Sequence, residues 1–194
     1  MTMRNTLLAI AALTIASHAG AQTFGNPGGL APDTPNLETG KPPPDHANTQ
    51  DKLFARQAAI GGRAEVELGK LAQKKASDER VRSFGKLMVD DHGRSNERLS
   101  KLVRGVKAEI PDELDSEHKS LASALDKKSG KEFDLAYLAA QMQDHQRTAN
   151  LLQYELSYGQ NEPLRQYAAD TLPGVLEHLE IAKLRYAELT SAPR

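Results

Sequence analysis

The stretch FGKLMVDDHGRSNERLSKLV (residues 84–103) decides the fold class. Its apolar residues return at alternating steps of three and four, which is the spacing of one face of an α-helix. One histidine, His92, falls on that apolar face. The complete face consists of Val81, Phe84, Met88, His92, Ser95, Leu99, Leu102 and Val106. The stretch therefore predicts an amphipathic helix that carries a polar group towards the core.

The same helical spacing continues on both sides of this stretch. It predicts a preceding helix over about residues 51–76 and a short connector helix near residues 116–127. Ser129 and Glu132 form a capping-box pattern, which predicts the start of a third long helix. That helix is expected to end at Gly159, and Asn161 is expected to cap a fourth.

Four long helices of similar length predict an all-α fold, a four-helix bundle made of two antiparallel hairpins. The bundle domain is expected to occupy residues 50–190. A long link from Ala108 to Gly130 joins the hairpins. It is long enough for a crossover, as in ferritin-like folds, but it also allows a local fold-back.

The first residues predict export. Arg4 precedes the apolar run LLAIAALTIA, and Ala19-Gly20-Ala21 supplies a small-residue cleavage site. This combination is typical of a cleaved signal peptide over residues 1–21. A flexible leader rich in proline and glycine is expected over residues 22–49. We therefore expect the mature chain in the periplasm, with association at the outer membrane as an alternative.

Composition narrows the function classes. The chain has no cysteine, which excludes disulfides and thiolate chemistry. Its 25 Lys and Arg residues balance 26 Asp and Glu residues, so nothing points to a nucleic-acid partner. No second apolar segment has membrane-spanning length, so the mature chain is expected to lack a transmembrane helix and to associate with the envelope at most peripherally.

Polar residues near the middle of each predicted helix suggest a shared layer inside the bundle. The four that would bind a metal ion are Glu65, His92, His145 and His178. Three acidic residues adjacent to the histidines are expected to surround this site: Asp91, Asp144 and Glu177. Isolated charged groups in a core cost several kcal/mol each, so a metal ion, a closed hydrogen-bond network or a water-filled pocket must compensate.

The donor set leaves the metal open among Fe, Zn, Cu and Mn. Met88 and Met142 each share a face with a histidine, which would suit copper, although both also fit as core residues. The residues three positions before the histidines are Val89, Met142 and Val175, so the Glu-x-x-His pattern of a ferritin di-iron centre is missing. No complete catalytic constellation is present, so the sequence leaves enzymatic activity undecided.

Four motifs, taken in order, resemble a known family. They are FARQAAIGGRAEVELGKLA (54–72), FGKLMVDDHGRSNERL (84–99), FDLAYLAAQMQDHQRT (133–148) and YAADTLPGVLEHLEIAK (167–183). The chain resembles the exported bacterial family called domain of unknown function 4142, whose members often carry an outer-membrane protein label. The resemblance runs from about Gln50 to Glu188. It implies a ferritin-like fold and brings no established activity, substrate or cofactor.

The sequence thus predicts an exported ferritin-like bundle of unknown activity that binds a metal ion through a histidine and glutamate layer. The competing interpretation is a non-enzymatic envelope interaction or stress protein, in which the polar layer is purely structural.

Overall fold

The computed structural model describes residues 46–191, so the predicted signal peptide and nearly all of the predicted leader lie outside the described residues. Every secondary-structure element among the described residues is an α-helix. The helices are α1 (Thr49–Lys75), α2 (Glu79–Val106), α3 (Ser116–Asp126), α4 (Gly130–Tyr158) and α5 (Glu162–Ser191). The four long helices and the short connector helix predicted from the sequence are confirmed, with bounds close to those expected.

A side-chain hydrogen bond caps the N-terminus of each helix except α4. Asn161 accepts a hydrogen bond from the Leu164 N–H at 3.1 Å, as predicted. Ser129 lies at the start of α4, but its side chain makes no capping bond, so the capping box expected there is wrong. Gly130 has a φ of 58°, which turns the chain at this point, and Glu132 pairs with Lys128 instead.

The link between the hairpins is a crossover. The N–H groups of Gln160 and Asn161, which follow α4, lie against Asp51 near the start of α1, so α1 and α4 are antiparallel. The Ser77 N–H at the end of α1 lies against Asp134 near the start of α4. Residues 107–129 must therefore return along the bundle, with α3 packed on α1 and α4. This is the topology of a ferritin-like four-helix bundle.

Two apolar clusters fill the core at different levels. One contains Leu68, Val81, Phe84, Met88, Phe133, Tyr137 and Leu138. The other contains Phe54, Leu99, Leu152, Leu164, Tyr167 and Val175. Between them lies a buried polar layer, which we define as Glu65, His92, Gln141, His145 and His178. The core of the bundle therefore consists of one polar layer between two apolar clusters.

Helices α1 and α2 approach closely at two glycines. A Cβ atom added at Gly85 would lie 2.8 Å from the Ala72 Cβ and 2.9 Å from the Gly69 carbonyl oxygen. Both contacts involve atoms that cannot move aside without shifting a helix. The close approach of the first hairpin therefore depends on the missing side chains of Gly69 and Gly85.

We expect Gly85→Ala to destabilise the protein by about 1–3 kcal/mol, because the added methyl group overpacks the helix interface. Gly93 provides the matched control, since a Cβ atom there meets nothing within 4 Å. Gly93→Ala is expected to stabilise by up to about 1 kcal/mol through helix propensity alone. Urea unfolding measures both changes, and equal effects of the two substitutions would contradict the packing argument.

Candidate metal centre

Three helices each supply one histidine to the polar layer. His92 lies on α2, His145 on α4 and His178 on α5. All three side chains are buried, with relative exposures of 8%, 1% and 5% respectively. The helical spacing places each of them on the apolar face of its helix, so the packing of the bundle carries the three imidazole rings inward to one point.

The rings converge at distances suited to a shared ligand. One ring nitrogen from each histidine lies within 4.8 Å of the corresponding nitrogens of the other two. The Nε2 atoms of His92 and His145 are 3.4 Å apart. Two nitrogens bound to one tetrahedral zinc ion at 2.0–2.1 Å would be separated by about 3.3 Å. The closest pair in the layer already has this spacing.

The imidazoles are held in their neutral form. Burial, reinforced by the other two histidines, lowers the pKa of His92 to about 3. Burial lowers the pKa of His145 to about 4. It also lowers the pKa of His178, with His145 adding to the effect and Asp91 opposing it. Neutral imidazole is the form that binds metal ions, so the layer offers three nitrogen donors at neutral pH.

The protein surroundings of His145 indicate which of its nitrogens faces the cluster. Its Nδ1 lies 3.0 Å from the Gln141 carbonyl oxygen and 3.5 Å from Glu65 Oε1. The carbonyl oxygen of Gln141 can only accept, so Nδ1 carries the proton. The Nε2 lone pair is then left for the cluster. This arrangement resembles the outer hydrogen bonds that orient metal-binding histidines.

In His178 the roles of the two ring nitrogens are reversed. Its Nε2 lies 2.9 Å from Asp91 Oδ2 and donates to that carboxylate. Its Nδ1 is buried and has no hydrogen-bond partner in the described structure. A buried polar atom without a partner is costly, because it has lost its water without gaining a replacement. This nitrogen therefore keeps a buried lone pair that is available to a ligand.

Glu65 does not join the three histidines. The group of converging donors contains His92, His145 and His178 alone among the described residues. Glu65 meets α4 one turn earlier, where Gln141 Nε2 donates to its Oε2 at 2.7 Å. Burial and the charge of Asp144 raise the pKa of Glu65 to about 8. Glu65 is thus placed beside His145 as a supporting group, rather than among the converging donors as expected.

The three surrounding acids have different positions. Asp91 supports His178, which lies on another helix, rather than its sequence neighbour His92. Asp144 is buried beside His145 but pairs with Arg147. Glu177 is exposed. Sequence reasoning missed Gln141, although a polar residue one turn before His145 on the same helix was the available signal.

The two methionines belong to the apolar core. Met88 is fully buried within the first apolar cluster, and Met142 packs against that cluster. This favours the interpretation of both as core residues over their interpretation as thioether ligands.

A cavity of about 300 Å³ reaches the layer from one side. It lies between α2 and α5, and His92 and His178 both line it. Its remaining polar walls include Ser95, Arg98 and Thr171. A metal ion held by the three histidines would therefore be accessible to a small fourth ligand, as in zinc sites that keep one open position.

The buried histidines of the metal-free protein are expected to contribute a loss of stability as the pH falls from about 6.5 towards 3. Glu65 and Glu155, whose pKa values burial raises to about 8 and about 9, contribute in the opposite sense down to about pH 4.5, so the histidine contribution is measured as a difference between variants. In this range the histidines of the unfolded chain bind protons, whereas folded His92 and His145 stay neutral until their lowered pKa values are reached. Replacing His92 by glutamine should reduce the loss between pH 6.5 and 4.5 by roughly 2 kcal/mol. Urea unfolding at both pH values measures this, with His118→Gln on α3 as control. If the free energy of unfolding changed by the same amount between pH 6.5 and 4.5 in the parent protein and in His92→Gln, this explanation would be contradicted.

Comparisons with known proteins give a family and a fold. The family model described as "Domain of unknown function (DUF4142)" matches residues 37–184, most of the chain, and the chain therefore belongs to this family, as its motifs predicted. No curated protein matches it. No helix among the described residues is long and apolar enough to cross a membrane.

Two solved structures are similar in fold. A DUF305 fragment from Deinococcus radiodurans has a TM-score of 0.66 and 11% identity, covering 76% of this chain and 99% of its own. A DUF305 protein from Streptomyces coelicolor, whose name proposes secretion, has a TM-score of 0.63 and 13% identity, covering 73% of this chain and 92% of its own. At these identities the similarity concerns the fold alone.

Proposed function

We propose that this member of the DUF4142 family is an exported protein that binds a transition metal ion through His92, His145 and His178. One observation carries the proposal: ring nitrogens from three different helices lie within 4.8 Å of one another in a buried layer. Export follows from the signal-peptide pattern in residues 1–21. Asp91 and Glu65 serve as supporting carboxyl groups that orient His178 and His145.

The energetics of the layer favour a bound ion over an empty structural network. A structural network is stabilising only when its members are all satisfied. Here His92 and His145 share a hydrogen bond between their Nε2 atoms at 3.4 Å, whereas the buried Nδ1 of His178 has no partner in the described structure. A metal ion would accept lone pairs from all three rings at once.

The donors narrow the choice of metal. Three neutral imidazoles suit Zn, Cu, Ni or Fe, whereas Mn prefers oxygen donors. Because the carboxylate of Glu65 lies outside the converging group, Mn is the least suitable of the four metals considered from the sequence. The 3.4 Å separation of the His92 and His145 nitrogens supports zinc or another ion of similar bond length.

The cavity beside His92 and His178 gives the proposed site a chemical capability. An ion with three protein ligands and one accessible position can bind and polarise a water molecule or a small solute.

Metal content tests the proposal. Protein purified from the periplasm is expected to contain a transition metal in stoichiometric amount by elemental analysis. The triple variant His92→Ala, His145→Ala, His178→Ala should contain less than a tenth of it. His118→Ala, on α3 outside the layer, serves as the matched control and should keep it. Absence of stoichiometric metal in the parent protein, even after reconstitution with zinc and copper, would leave the layer as a purely structural network.

A further inference from the structure

A second cavity, of about 380 Å³, lies on the other side of the bundle, between α1, α3 and α4. The three histidines do not line it. Its size falls within the range of small-molecule sites. Because α3 belongs to the crossover link, this cavity exists only through the connection between the two hairpins. We name it the crossover cavity.

The polar lining of the crossover cavity is acidic. Four carboxyl groups line the cavity, those of Glu65, Asp115, Glu117 and Asp144, against the guanidinium of Arg147 and the imidazole of His118. His118 pairs with Asp115 at 2.8 Å. Arg147 donates to Glu117 and to Oδ1 of Asp144, so it neutralises only part of this charge. The cavity therefore carries an excess of negative charge, which favours a cationic occupant.

Asp144 supplies the independent sign of a missing partner. The residue is only 7% exposed and lines the crossover cavity. Its Oδ2 atom is buried and accepts no hydrogen bond in the described structure. A buried carboxylate oxygen requires a donor, and the open space beside it is the cavity itself. A donor that enters the cavity would satisfy it.

Apolar residues also line the crossover cavity. Ile60 and Leu151 contribute apolar walls, and Gly61 lines the cavity as well. A Cβ atom added at Gly61 would meet nothing within 4 Å, so this wall opens on free space. The cavity thus combines a short apolar slot with acidic polar groups.

A bare metal ion fits this arrangement poorly. Among the described residues, the carboxylates of the crossover cavity do not form a group close enough to share one ion. An organic cation does not need such a group, because it presents its donors in several directions and has an apolar part of its own.

We propose that the crossover cavity binds a small organic ammonium ion with a short apolar arm. The ammonium group donates to Oδ2 of Asp144, and the arm lies against Ile60 and Leu151. Glu65 lines this cavity and also lies beside His145, but the three histidines do not line it, so metal binding and ammonium binding are measured independently.

Calorimetric titration of the full mature protein with benzylammonium at pH 7 tests the proposal, with benzyl alcohol as the neutral probe of matched shape. We expect saturable binding that is at least tenfold tighter for the ammonium ion. Asp144→Asn should weaken it at least tenfold. Gly61→Phe, which fills the slot without altering any polar group, should abolish it. Gly93→Phe on α2 adds the same bulk where a Cβ also meets open space, and it should leave binding intact.

Three results would overturn the proposal: no saturable binding of benzylammonium, equal affinity for the alcohol, or unchanged affinity in both the Asp144 and Gly61 variants. Circular dichroism of each variant reports whether it is folded. If Asp144→Asn does not fold, the comparison of Gly61→Phe with Gly93→Phe decides the question.

Discussion

Asp134→Ala is expected to destabilise the bundle by about 3 kcal/mol, because it removes the acceptor of three partly buried donors at once. Asp134 is 1% exposed and lies near the start of α4. It accepts the backbone N–H groups of Ser77 and Asp78 at 3.0 Å, together with the Ser77 hydroxyl. These donors form the turn between α1 and α2, so one carboxylate fastens one hairpin to the other.

Urea unfolding of the metal-free protein measures this effect. Asp112→Ala is the matched control, because Asp112 is exposed in the link and its loss should change stability by less than about 0.5 kcal/mol. A variant at Asp134 that unfolds within 1 kcal/mol of the parent would show that water replaces the carboxylate at little cost.

Zinc is expected to stabilise the parent protein by about 4 kcal/mol when its free concentration is a thousand times the dissociation constant. The gain arises because the folded layer presents three converged imidazoles, whereas the unfolded chain separates them. In His145→Ala the gain should largely disappear, since the most deeply buried of the three donors is missing. His118→Ala should keep the full gain.

Unfolding monitored with and without zinc, at fixed pH, gives these differences directly. An equal zinc-induced gain in the parent protein and in His145→Ala would place the stabilising ion elsewhere on the molecule. An unchanged stability of the parent at saturating zinc would instead remove zinc from the candidate metals.

The helices and their polar layer were predictable from one-dimensional spacing. The recurrence of apolar residues at steps of three and four fixes the facing side of each helix, and it places His92 and His178 inward. Mid-helix residues of antiparallel hairpins with matched lengths must meet at one level. For this reason the shared level of the three histidines follows from helix lengths and turns. The spacing left open whether Asp144 or His145 faces the interior, because neighbouring residues point about 100° apart around a helix.

The role of Glu65 was not predictable in the same way. Its level in the bundle is correct, but the direction of its side chain depends on how α1 is rotated against α4. Packing between the helices sets that rotation, and it includes the contact of Glu65 with Gln141. The local sequence of either helix does not predict this contact. Spacing along one chain segment fixes a face to within a turn and leaves contacts between helices undetermined.

The crossover, and the two aspartates that hold turns of the bundle in place, show a second limit of prediction from the sequence. Asp51 stands in the first turn of α1 and Asp134 stands in the second turn of α4. Acidic residues near a helix N-terminus are ordinarily surface groups that favour the helix dipole. Both are instead buried and hold turns that lie 56 or more residues away in sequence. The long link allowed either a crossover or a fold-back, and these distant contacts are what decide between them.

The central claim is that His92, His145 and His178 together bind one transition metal ion. The most direct measurement is anomalous diffraction from crystals of the zinc-loaded protein, recorded on both sides of the zinc absorption edge. The account predicts one strong peak about 2.0–2.1 Å from a nitrogen of each of these three residues. A zinc peak held only by surface carboxylates, with none between the three imidazole rings, would contradict it.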